Sequence, residues 1–174
     1  MRGSDKMAGT FIKPKAYNKR FFLNFGTSEV PKWYEVARGI TSRGNNFSES
    51  SETYYPMDQR GTAEIETASQ SVSRTWSGFR VIGDEAQDAI LIDALYDLDK
   101  RNVEYIEYYD NVTTGDNGWK GNGSITISDD GSGDTANRET IGIGLNIIGK
   151  PTRGTVALDT SDGTNKITFT PKEA

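Results

Sequence analysis

The chain has 174 residues, enough for one domain with loops or arms, and its 34% hydrophobic content is lean for a free-standing globule. It has no cysteine and no histidine, which excludes disulfides, thiolate nucleophiles, Cys- or His-based metal sites and every mechanism that needs an imidazole base. The net charge of −5 is uneven: nine Lys/Arg stand against three Asp/Glu in residues 1–43, five against fifteen in 44–119, and six against seven in 120–174. Overall acidity argues against a protein that grips DNA, because gripping needs clustered cations. The basic start suits an arm that docks on an acidic patch of a neighbour, and an ordinary solvated surface is the alternative. No apolar run reaches membrane-spanning length and no signal peptide is read, so no membrane anchor is expected.

Residues 1–20 hold six Lys/Arg with few clustered apolar side chains and read as an N-terminal arm. A single domain is expected over 21–171, with a short tail at 172–174. Phe21–Phe25 is a short apolar run suited to a buried strand. A turn around Pro31 follows, and Trp33–Ser42 reads as a second strand with a bulge at Gly39. Residues 43–61 lack periodicity and read as a long loop. Phe47, Tyr54, Tyr55 and Met57 would be costly to leave in water there, so with Asn45 and Asn46 they are assigned to subunit interaction.

Ala63–Val81 reads as a hairpin or strand pair, with Glu64 and Glu66 on one face and Ile65 on the other. Asp84 with Gln87 fits a capping box. Ala86, Ile90, Leu91, Ala94, Leu95 and Leu98 then form an apolar stripe that predicts one helix over Asp84–Arg101. The remainder reads as strands at Val103–Asp110, Gly121–Ser128 and Ile141–Ile147, and a final hairpin of Thr155–Asp159 and Lys166–Thr170. Gly142, Gly144 and Asn146 leave one face of the Ile141 strand nearly bare, which suits close approach by another backbone or subunit. The fold class is therefore mainly β, a sandwich or barrel with one flanking helix.

Little here supports catalysis. The pairs Glu64/Glu66 and Glu104/Glu107 are the ones comparable with a glycosidase pair, and alternation places such acids on solvated faces by default. Asp129–Asp134 lacks the ligand spacing of a calcium loop. Tyr105, Tyr108, Tyr109 and Trp119 invite a carbohydrate platform, against which stands a plain role in core and interface. No catalytic, cofactor or metal site is read, and no cofactor is expected.

Four pieces of the chain resemble phage major tail tube proteins of the siphophage type. They are Trp33–Thr41, Thr53–Asp58, Trp76–Ile90 (WSGFRVIGDEAQDAI) and Asn146–Asp159 (NIIGKPTRGTVALD), in matching order. Residues 1–20 and Asp110–Asn122 depart from the pattern. The resemblance implies a tail-tube-type β-sandwich whose strands join a ring-wide barrel, with the long loop and terminal arms making contacts within and between rings. It implies a structural virion subunit, made in the host bacterial cytoplasm, that stacks as hexameric rings into the tail conduit. Its implied partners are further copies of itself, a tape measure protein and tail tip or terminator proteins. Double-stranded DNA would pass without specific binding along an acidic bore, for which Glu64 and Glu66 are the candidate lining. The alternatives are a carbohydrate-binding β-sandwich module and a tube subunit of a contractile or bacteriocin-like particle.

Overall fold

A computed structural model describes residues 12–173. Its strands are β1 (Lys19–Asn24), β2 (Trp33–Glu35), β3 (Ile40–Tyr54), β4 (Glu64–Phe79), β5 (Asn102–Tyr109), β6 (Gly118–Ser132), β7 (Thr140–Asp159) and β8 (Lys166–Pro171). A short helix, α1 (Glu85–Asp88), lies between β4 and β5. All pairings are antiparallel, in the order β2-β1-β5-β6-β7-β4-β3, with β8 added beside β7.

The long strands β6 and β7 belong to two layers at once. Their ladder runs from Gly118↔Gly154 to Ser132↔Thr140 and slips at three places, which lets the pair bend. One half of β7 pairs with β4, and the other half pairs with β8. Strands β1 and β5 are covered on both faces as a result. Phe21, Leu23, Val103 and Tyr105 enter one core with Trp76, Ile125, Ile141, Ile143 and Leu145. Phe22, Ile106 and Tyr108 enter a second core with Trp33 and Val156. Phe21 packs edge-on against Trp76 at 4.7 Å between ring centroids and stacks on Tyr105 at 5.4 Å. The sandwich expected from the strand pattern is therefore present as one folded sheet.

Several elements differ from the sequence expectation. The loop expected over 43–61 is mostly strand, since β3 runs to Tyr54 and only the stretch from Tyr55 to Ala63 connects it to β4. Ala63–Val81 is one long strand rather than a hairpin, because its partner is β3. Trp33–Ser42 is two strands, β2 and the start of β3, divided at Gly39, whose φ of +76° turns the chain. The Ile141 run and the Thr155 run are one strand, β7. Of the arm expected at 1–20, residues 1–11 lie outside the described residues. Ala16–Asn18 form a 3-10 turn, and Lys19 and Arg20 belong to β1.

The helix expected over Asp84–Arg101 is much shorter. Asp84 caps it as read, its Oδ1 accepting from Gln87 N at 3.0 Å. The chain then widens into a π turn at Ala89–Asp93 and ends in a 3-10 turn at Leu98–Arg101. The apolar stripe finds the core only as far as Ala94; Ile92, Tyr96 and Leu98 are exposed, so packing does not sustain further turns. Arg101 instead donates to the carbonyls of Ala94 and Leu95 at 2.9 and 2.6 Å. Gln87 is buried and its side chain spans the junction, donating to Arg38 O and Phe79 O and accepting from Val81 N.

A buried ion cluster joins the layers. Glu107 of β5 accepts from Arg74 of β4 through two bonds of 2.9 and 3.1 Å, and Lys19 Nζ of β1 lies 2.8 Å away. Burial pushes the Glu107 carboxyl up, but hydrogen bonds from Arg74 and the charge of Lys19 outweigh it and hold the group below its ordinary value. A carboxyl lowered in the fold contributes stability that is complete above its unfolded value of about 4.3 and is lost as pH falls through the folded value. Glu107→Gln should cost about 3–5 kcal/mol at neutral pH, because it leaves two buried cations facing a neutral partner. Urea unfolding from pH 7 down into the acid range should also give the variant a flatter acid limb than the parent chain.

Candidate assembly surfaces

Strand β4 meets β7 only between Ser73 and Phe79, while its pairing with β3 continues to Tyr54↔Glu64. Beyond Val72 the two strands therefore leave the body as a two-stranded ribbon. Its side chains are exposed on both faces. A ribbon this narrow has no core of its own and is marginal in water unless something covers it. At its end, Met57–Gln59 form a 3-10 turn, and Arg60 and Gly61 at φ of 50° and 85° reverse the chain.

The structure gathers the residues assigned to subunit interaction on this arm, divided between its faces. Asn45 pairs with buried Arg74 and Phe47 with Val72, so both continue the core side of the sheet. Phe47 and Ile65 are nevertheless 64% and 70% exposed, because the core ends before it reaches them. Asn46 pairs with Ser73 and lies on the opposite face. Tyr54 lies opposite Glu64, while Tyr55 and Met57 occupy the connection, where Met57 is 99% exposed. Glu66 faces Glu52 across the ribbon, an acid that the sequence pattern did not single out. Glu64 accepts from Gln59 Nε2, and the Tyr54 hydroxyl titrates above its usual range beside the Glu66 and Glu64 carboxylates.

The body of the four-stranded layer β3-β4-β7-β6 presents a distinctive outer face. One cross-strand rung is Asn46, Ser73, Asn146 and Ser124, and the next is Gly44, Thr75, Gly144 and Thr126. Ser48 and Ser71 extend it on the arm side, and Ser42, Ser77 and Gly142 on the other. The bare face expected along Gly142 and Gly144 is filled from the neighbouring strand of the same chain. A Cβ on Gly142 would lie 2.3 Å from Ser128 Oγ, and one on Gly144 2.4 Å from Thr126 Oγ1. The period-two run Ser69, Ser71, Ser73, Thr75, Ser77 carried this face in the sequence, but it offers no apolar signal.

Two edges of this layer are unpaired among the described residues. One is the outer edge of β3, fifteen residues long. The other is Ile125–Ser132, the part of β6 beyond its last pair with β5 at Ser124. Unpaired ladders of this length are templates for another strand.

The remaining candidate sites are structural. Tyr105 and Tyr108 are buried in the two cores, so they form no sugar platform. Asp129 closes its own turn, accepting from the Thr140 and Ser132 hydroxyls and from the Gly131 and Ser132 amides, which lowers its pKa.

No family model matches the sequence, and no curated protein matches it. Solved structures do match in shape. A chain from the tail of an empty gene transfer agent particle, refined with C6 symmetry, superposes with a TM-score of 0.61 at 14% identity, over 82% of this chain and all of that one. A chain of the SPP1 tail tube gives 0.58 at 14% identity, over 80% and 77%. A chain from the sheath-tube complex of an extracellular contractile injection system gives 0.50 at 15% identity, over 90% and 100%. The chain has the tail-tube fold.

Amide hydrogen exchange on the dilute chain should separate body from arm. The amides of β5 and of β7 from Ile141 to Leu145 should exchange slowest, and those of Ser48–Tyr54 and Glu64–Ser71 should exchange at the rate of local fraying.

Proposed function

We propose that this chain, having the tail-tube fold, is a major tail tube subunit, a structural virion protein that closes into rings and stacks into a hollow tail. The observation that carries this reading is the four-stranded layer with two open edges on opposite sides. Joining the β3 edge of one copy to the Ile125–Ser132 edge of the next is a head-to-tail contact, which closes into a ring when the rotation permits. It also satisfies both edges at once. The six-fold symmetry of the gene transfer agent tail supports six copies. Six four-stranded layers make roughly 24 strands, a barrel about 37 Å across at the backbone before strand tilt, at about 4.8 Å per strand.

The body of each subunit lies on one side of this layer, since β1, β5 and α1 all pack on its core face. Six such bodies would crowd the axis if turned inward, so the barrel closes with the bodies outside. The arm then reaches past its own ring, and its uncovered Phe47 and Ile65, with the half-buried Val72 beside them, are buried on a neighbouring copy. The contents of the channel would be a tape measure protein during assembly and double-stranded DNA afterwards, with terminator and tail tip proteins closing the ends. Synthesis in the host bacterial cytoplasm follows from this reading. Greater likeness to the gene transfer agent and SPP1 structures than to the contractile system favours a non-contractile tail. A tube made of interlocking copies requires no catalytic group, in keeping with the poor side-chain inventory.

Electron microscopy of the concentrated protein tests this directly: rings or tubes are expected, and a persistent monomer would defeat it. Replacing Ser48–Ser71 by Asn-Gly joins Phe47 to Val72 through a two-residue hairpin turn. That variant should unfold within about 1 kcal/mol of the parent, since no core side chain is lost. It should form no tubes, and normal tubes from it would remove the arm from the stacking contact.

A further inference from the structure

If copies close into a ring with their bodies outside, the hydroxyl-and-amide face becomes the wall of the channel. We propose that this wall is electrically neutral and smooth along the ring body, and that its carboxylates stand at the two ends, Asp129 at one and the arm acids at the other. The inference rests on the ring reading and differs from the expected acidic bore in where it puts the charge.

The two complete rungs hold Ser, Thr, Asn and Gly and no ionisable group. The charges nearest to them on this face stand at its ends. On β6 beyond Thr126, Asp129 pairs with Gly142, and its oxygens are engaged by hydrogen bonds from its own turn. On the other side, past Asn122 and the half-exposed Ile148, Lys120 and Glu104 neutralise each other at 3.3 Å. Along the arm, strict alternation on β3 carries the same face from Ser48 and Ser50 to Glu52 and Tyr54. The bulge between Ser50 and Ser51 leaves Ala68 without a partner, and it brings Glu66 and Glu64 back onto that face opposite them. Glu64 and Glu66 therefore stand at the ring's margin with Glu52.

Smoothness has its own cause. Each glycine of the face is overlaid by a hydroxyl of the adjoining strand: Gly44 by Thr75 Oγ1, Gly142 by Ser128 Oγ and Gly144 by Thr126 Oγ1, with 2.6, 2.3 and 2.4 Å left for a Cβ. A side chain at any of the three positions would have to push that hydroxyl aside, and no chain on the two rungs rises higher than asparagine. A duplex passing such a wall meets no cation to exchange for its counterions and no anion to repel it. Water held by hydroxyls and amides remains the only contact layer.

The test uses tubes of the full chain. A cryo-EM map should place Thr75, Thr126 and Asn146 on the bore; tubes with these residues on the outside would overturn the proposal and leave the tube reading intact, whereas failure to form tubes would overturn the tube reading itself. A short fluorescein-labelled DNA duplex should enter and leave the parent tubes at rates that change less than about twofold between about 50 and 200 mM salt, in the absence of phosphate neutralisation. Exclusion that weakens steeply with salt would mean an acidic bore and overturn the proposal. Thr75→Lys with Thr126→Lys should hold the duplex and lose on the order of a thousandfold in retention over the same salt range. Thr75→Gln with Thr126→Gln, which adds bulk without charge, should behave like the parent; retention by the glutamine tubes would show that height, not charge, governs passage and would count against neutrality as the cause.

Discussion

Arg74 occupies the last deeply buried position of β4 before the strand leaves the body, and its hold on Glu107 decides where the body ends. The guanidinium reaches across the core to β5, where Lys19 of β1 completes the cluster. Arg43, on the neighbouring strand, donates to the carbonyls of Lys19 and Ala16 at 2.7 and 3.0 Å. The base of the arm is thus tied to the inner strands by side chains of both β3 and β4. Buried ion pairs add little net stability over well-packed apolar groups, but losing one partner is expensive. That asymmetry suits a joint: it penalises any register of β4 that takes Arg74 away from Glu107.

The same cluster explains what becomes of the basic N-terminal charge. Lys19 is committed to Glu107, Arg20 to Glu35 through bonds of 2.7 and 2.6 Å, and Arg43 to backbone carbonyls. The segment that looked like a free cationic arm supplies internal ties at the points where β1, β2 and β3 meet. Lys13, Lys15, Lys32 and Arg38 remain exposed among the described cations of residues 1–43. The acidic middle gives Glu107 to that cluster and keeps most of its other acids on the surface, at the arm and around α1.

How much could be read beforehand follows from which residues carry the information. Strands β1, β5 and the first half of β7 announce themselves, because Phe21–Leu23, Val103–Tyr108 and Ile141–Leu145 alternate or cluster bulky side chains that end in a core. Strand β3 beyond Ser42 does not, since a run of Ser, Asn and Glu has no hydrophobic period, whereas outer β4 shows its extended backbone through Ile65 between Glu64 and Glu66 but not its partner. Their pairing is dictated by the neighbour across the ladder, which a linear pattern cannot contain. The helix was overdrawn for the opposite reason: the stripe through Leu95 and Leu98 has helical spacing but no surface to land on. Phe47, Tyr54, Tyr55 and Met57 stand out in the sequence because apolar bulk amid polar residues is conspicuous in any conformation, and the structure leaves them exposed on the arm. The hydroxyl face was missed because small polar residues look like loop until their partners are known.

An open edge fifteen residues long would ordinarily invite uncontrolled pairing between chains. Here the composition that hid the strand also restrains it. Ser, Asn and Glu along β3 offer backbone hydrogen bonds with little apolar reward, so a stray strand that pairs in the wrong register gains little. The Glu49, Glu52, Glu64 and Glu66 carboxylates add repulsion between arms that meet arm to arm. In the proposed ring a correct partner would bring something a stray one does not, namely a β6 edge of defined length together with a surface for Phe47 and Ile65. Edge pairing and apolar burial must then be satisfied by one placement, and neither alone outweighs the entropy of ordering two chains. Polarity along the ladder is in this sense what makes an exposed edge safe on a single chain and selective between chains.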